Sequence, residues 1–169
     1  MFTDSDLKML IECPKKIIEA SPAKGMAQDK RNGFALRKKM ILVSCDGGHE
    51  FDVFFRQNTK FYEQFSIGLR YHTHDKQLGK VIILRYNGQH TTKAKDSSKD
   101  DHSSSFHIHR TNEFLLAKKI TEPSEIEITE KYSTFDNARF HFFKATGIQN
   151  ANKYFPQDEK QWDLFNHDT

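Results

Sequence analysis

Three histidines and two arginines fall into a split motif, Arg85-Tyr86-Asn87-Gly88-Gln89-His90 and then, after a polar stretch, His107-Ile108-His109-Arg110. Imidazole exchanges its proton near neutral pH and guanidinium grips anionic oxygens, so these residues suit phosphate binding, proton transfer or metal ligation. Along a strand, positions i and i+2 share a face roughly 6.5–7 Å apart, which sets His107 beside His109 and turns Ile108 and Arg110 the other way. His90 follows the strand-like run Val81 to Tyr86. If that run pairs with 105–110, three imidazoles meet, with Arg85 or Arg70 beside them. Two imidazoles held together can act as base and acid in phosphodiester cleavage through the ribose 2′-hydroxyl, an arginine stabilising the anionic transition state. That chemistry needs no cofactor, and alternation favours Arg85 over Arg110 as the phosphate grip.

The same residues have plainer readings. An H-x-H pair on an exposed strand is ordinary polar surface, Asn87-Gly88 reads as a tight turn needing positive φ, and Tyr86 suits a core or rim. His72-Thr73-His74 repeats the spacing at a strand end beside Asp75, where a solvated turn explains it. His107, His109 and Glu113 reproduce the H-x-H-x-x-x-E spacing of cupins and would suit zinc, iron or copper. Cupin flanking glycines are absent, however, with Asp101 and Ile120 in their places, and no Pro-x-Gly element follows. No metal ligand set and no cofactor is assigned. The chain has no G-x-G-x-x-G, P-loop, H-E-x-x-H or G-x-S-x-G motif.

The elements that must position these residues are legible from periodicity. Thr3 with Asp6 fits a capping box, and Leu7, Leu10, Ile11, Pro14, Ile17 and Ile18 recur at helical spacing, predicting an amphipathic helix over 4–20, broken by Pro14 into two pieces meeting near Cys13. Strands follow at 34–45 and 50–56, joined as a hairpin through Asp46-Gly47-Gly48. Phe65, Ile67, Leu69 and Tyr71 alternate with Ser66, Gly68, Arg70 and His72, a half-buried strand. In Val81 to Tyr86 the apolar residues continue without alternation, as in a strand covered on both faces. Residues 105–110 and 125–129 complete about six strands. Ser133 caps a second helix that ends at Gly147.

Residues 91–105 are almost wholly Lys, Asp, Ser and Thr, a polar insert or lid; 149–169 form an appended segment whose Tyr154, Phe155, Trp162 and Phe165 should dock it as a short helix. The expectation is one α+β domain over 1–169, a mainly antiparallel sheet flanked by N-terminal and C-terminal helices.

At 169 residues the chain can build one core, and fifteen Phe make that core aromatic. Cys13 and Cys45 form no C-x-x-C, which implies reduced thiols, and no apolar run reaches membrane-spanning length or resembles a secretory leader, so a cytoplasmic location is expected. The net charge of +3 hides an asymmetry: residues 1–110 carry 19 Lys/Arg against 13 Asp/Glu, and 111–169 carry 7 against 10. Lys24, Lys30, Arg31, Arg37, Lys38 and Lys39 face only Asp29, either a phosphate-attracting field or a solvated edge strand kept soluble by lysines.

Phe65-Ser66-Ile67-Gly68-Leu69-Arg70-Tyr71, Leu84 to His90, Phe106 to Arg110 and a Tyr132-to-Phe143 segment together resemble an uncharacterised family of small bacterial and prophage-associated proteins, over roughly residues 50–148. More loosely, R-Y-[DN]-N-x-x-H followed by H-x-H is similar to TumE-type toxins of toxin-antitoxin pairs. Here the Tyr86-to-His90 spacing differs, the insert is longer and helical flanks are added. That likeness implies an intracellular toxin directed at RNA or translation, with an antitoxin partner, and its matching positions are Arg85, Tyr86, His90, His107 and His109. These five are the candidate catalytic residues. The reading is an RNA-directed, metal-independent endoribonuclease. A non-enzymatic nucleic-acid- or protein-binding accessory of a mobile element is the alternative, and a His-ligated metal enzyme the third.

Overall fold

A computed structural model describes residues 2–90 and 104–155. The expected insert at 91–105 therefore lies outside the described residues except for Ser104 and Ser105, and so does the appended segment from 156 on, with Trp162 and Phe165. The chain is α+β, built on an antiparallel sheet. Helix α1 spans Asp4–Glu12, followed by strands β1 (Lys15–Ser21), β2 (Ala27–Gln28), β3 (Ala35–Ser44), β4 (Glu50–Asn58), β5 (Phe65–His72), β6 (Lys80–Asn87) and β7 (His107–Arg110). Helix α2 (Glu113–Ala117), strand β8 (Glu125–Ile128), helix α3 (Phe135–Ala145) and a 3₁₀ turn at Ala151–Lys153 complete it. The sheet runs β1-β3-β4-β5-β6-β7-β8, with β2 also on β3.

Among the described residues there are eight strands where about six are expected, and the difference is largely in the N-terminal third. Residues 15–21 are a strand, not the second half of a helix. Pro14 ends α1, and β1 pairs antiparallel with β3 from Lys15↔Ser44 to Ser21↔Lys39. In that strand Ile17 is buried and Ile18 stands 56% exposed, the outcome of period two rather than 3.6. Because β3 lies between β1 and β4, its lysines do not decorate an edge.

Alternation sorts the central strands into two faces. Met40, Leu42, Val53, Phe55, Ile67, Leu69, Leu84, Tyr86 and Ile108 point to one side and share a cluster with Leu7 and Leu10 of α1 and Phe142 and Phe143 of α3. Each such apolar side chain, fully buried, contributes about 1.5–3 kcal/mol. The capping box at Thr3 and Asp6 forms as expected. In α3 the cap is Thr134 rather than Ser133, its hydroxyl accepting from Asn137 N–H at 3.2 Å. Gly147 follows α3 at φ +65°, and a Cβ there would come within 2.8 Å of the Glu12 and Cys13 carbonyl oxygens, so the ends of α1 and α3 meet through it. Among the described residues no helix is long and apolar enough to cross a membrane.

Two lysines lie on the buried side. Lys15 is fully buried, its ammonium donating to the carbonyls of Ile11 and Cys13 at 2.8 Å and Thr146 at 3.0 Å. Lys38 donates to the carbonyls of Pro22 and Gly25. Burial first, and the Arg139 charge second, push Lys38 down to about 8. Between that value and roughly 10.4, the ordinary lysine value, the unfolded chain holds the proton and the folded chain does not, so stability rises with pH across the window. Urea titrations at pH 8 and pH 10 should show wild type gaining stability relative to Lys38→Met. An equal pH dependence in the two proteins would refute the assignment.

Candidate functional site

The face opposite the core carries the polar chemistry. In the β6–β7 pairing His109 stands opposite Arg85, and His107 opposite Asn87. Directly opposed residues share a face, so both histidines and Arg85 lie on the side away from the core, with Gly68, Phe54 and Lys39 continuing Arg85's row across β5, β4 and β3. The ring centroids of His107 and His109 are 5.0 Å apart, and those of His90 and His107 are 5.3 Å apart. The three imidazoles thus form one chain of contacts. His90 is exposed, whereas His107 is 0% and His109 8% exposed. His107 Nδ1 lies 2.8 Å from the Ser105 carbonyl oxygen, which can only accept. Nδ1 therefore carries the hydrogen, and neutral His107 has its lone pair on Nε2.

Tyr86 does not join them. It is buried on the core side, stacked 5.2 Å from Tyr132, and its register partner Ile108 is likewise inward. Burial pushes its phenol up, away from use near neutral pH. Arg110 also leaves the site, opposite core-facing Leu84 and 3.5 Å from Glu127. Glu113, the third residue of the cupin-like spacing, is drawn to the start of α1, its carboxylate accepting from Asp4 N–H. Among the described residues no group of three or more His, Cys, Asp or Glu is placed to hold a metal ion.

Asn87-Gly88 is not a positive-φ turn. Asn87 ends β6, its Oδ1 accepting from the Ser66 hydroxyl at 2.9 Å. Gly88 N–H donates to the Phe65 carbonyl at 3.0 Å, and a Cβ at 88 would lie 1.8 Å from the Glu63 carbonyl oxygen. Close backbone approach, not turn geometry, requires glycine here. Behind the sheet the Tyr132 hydroxyl reaches the carbonyl oxygens of His107 at 2.8 Å and Asn87 at 3.1 Å, bridging the two strands that carry the site.

A second polar group, which no local sequence pattern announces, sits farther along the same face. Asp52 is fully buried, with Arg70 Nε at 2.6 Å, His72 Nε2 at 2.8 Å and Lys80 Nζ at 3.4 Å. Burial pushes the Asp52 carboxyl up, but the hydrogen bonds from His72 and Arg70 and the Arg70 charge outweigh it and hold the group below its ordinary value. His72 is therefore the partner of a buried carboxylate, not a solvated turn residue. The available signal was Asp52 itself, the one charge within Phe51–Phe55.

An open groove of about 910 Å³ reaches Arg85 of the first group and Arg70 of the second, and its lining also includes Lys39, Arg37 and Arg56. Asp29 at its rim is bound by Arg37 at 2.8 Å. Phe54 lies in this groove across Gly68, with the Arg70 guanidinium 5.2 Å from its ring centre. Cations lining a concave surface focus a positive potential and favour polyanions. The chain finds no significant match among family models, curated proteins or solved structures, so the character of the site follows from its own residues.

Proposed function

We propose that the protein is RNA-directed and cleaves RNA as a metal-independent endoribonuclease at the histidine cluster. The observation that carries this reading is the contact chain from exposed His90 through His107 to His109 on one face of the sheet, with Arg85 opposite His109. His90, the exposed ring, takes the proton of a ribose 2′-hydroxyl. The 2′-oxygen then attacks the adjacent phosphorus, the bond to the 5′-oxygen breaks, and an imidazolium of the cluster protonates that leaving oxygen, giving a 2′,3′-cyclic phosphate. His107, fixed in one tautomer by Ser105, and His109 exchange protons with His90, and Arg85 meets the anionic phosphate oxygens. Such proton transfer is worth about 10²–10⁴-fold in rate.

The burial of His107 and His109 favours a second reading, an RNA-binding protein without cleavage whose contacts come from the groove alone. Induced expression in a bacterial host separates the two, alongside purified protein mixed with labelled RNA. Growth arrest and cyclic-phosphate products with wild type, both lost in His90→Ala and His107→Ala, are the expected results. Soluble wild type that binds RNA, leaves it intact and permits growth would replace the first reading by the second.

A further inference from the structure

We propose that the RNA taken by this site is single-stranded, and that Phe34 is the platform on which the base beside the reacting phosphate stacks. This deepens the RNA-directed reading and rests on it. Phe34 is 53% exposed, although burying a phenyl ring is worth about 1.5–3 kcal/mol to a fold that can accommodate it. It lines a small depression of about 230 Å³ together with Asn58, Asn87 and His90, so the half-exposed ring and the exposed imidazole share one recess. That recess and the cationic groove have Arg56 and Ser66 in common, which makes the two continuous. The Lys60 ammonium lies 3.8 Å from the centre of the Phe34 ring, and Phe61 and Tyr62 beyond it are also exposed.

The arrangement alternates charge with flat apolar surface. Arg37, Lys39 and Arg70 line the groove around half-buried Phe54, Arg56 bridges, and Phe34 with Lys60 stands at the histidine end. Phosphates of any nucleic acid would find the cations, but an aromatic face stacks only on a base whose own face is free. In an A-form duplex those faces are occupied by neighbouring bases, and the duplex would present its phosphates and 2′-hydroxyls alone. A single strand can lay its backbone along the groove and turn a base onto Phe34, which brings the adjoining ribose and phosphate to His90.

The test uses the full chain and fluorescence anisotropy with an end-labelled 2′-O-methyl oligouridylate of about ten nucleotides, which cannot be cleaved through the 2′-oxygen and falls within common site sizes for single strands. Wild type should bind it with a strong salt dependence and bind a duplex of equal length much more weakly. Phe34→Ala should weaken single-strand binding about tenfold or more, while Phe34→Trp retains it; thermal melting confirms that both variants remain folded. Equal binding of single strand and duplex, or undiminished binding by Phe34→Ala, would overturn the stacking assignment and leave the RNA-directed reading in place. Wild type that binds neither form would overturn both.

Discussion

Gly88→Ala should destabilise the protein by about 3 kcal/mol or more and abolish the histidine cluster with it. The added methyl carbon would lie 1.8 Å from the Glu63 carbonyl oxygen and 2.7 Å from the Phe65 ring. The first is backbone, so relief requires moving the end of β6 or the segment entering β5. Either movement breaks the Gly88 N–H bond to Phe65 and carries His90, two residues on, away from His107. Gly68→Ala is the instructive comparison. Its methyl would meet the Phe54 ring at 2.3 Å, but that side chain is half-buried and can swing, so the cost should be nearer 1 kcal/mol and fall on the groove rather than the fold. Urea denaturation of both variants checks the ranking, and equal costs would show that the β6 end is free to move.

Lys15→Met should cost about 3 kcal/mol, roughly 6–12 °C in Tm. Methionine preserves the volume and removes three charge-assisted hydrogen bonds at once, leaving the Ile11, Cys13 and Thr146 carbonyl oxygens facing an apolar side chain. Those carbonyls belong to the C-terminal ends of α1 and α3, where the helix dipole places partial negative charge, and α1 has no basic residue in its own last turn. Burial lowers the Lys15 pKa, which reduces the net gain below the sum of its bonds. Lys15→Arg should not restore stability, because a planar fork cannot point three donors at carbonyls arranged around a compact ammonium. A melting temperature for Lys15→Met within about 1 °C of wild type would show that water or rearrangement replaces the ammonium.

The features legible in the sequence were those set by local physics. Alternation in 65–72 gave the two faces of β5, i to i+2 spacing put His107 beside His109 and Arg110 opposite, and Gly147 marked the end of α3. What local sequence does not encode depends on partners distant in the chain. Residues 15–18 fit a helical stripe over too short a span to discriminate, and pairing with β3 decided them. β2 has two residues and α2 five, too few for any period to register. Asp52 acquires its meaning from Arg70 and His72 on the next strand, and Gly88 from the Glu63 backbone, which no pattern within 85–90 encodes.

The Tyr132 bridge grips His107 and Asn87 by their carbonyl oxygens, and a carbonyl is common to all twenty amino acids. Mechanical support and chemical identity are thereby assigned to different atoms of the same residue. The Tyr132 bridge itself therefore does not depend on which side chain stands at 107.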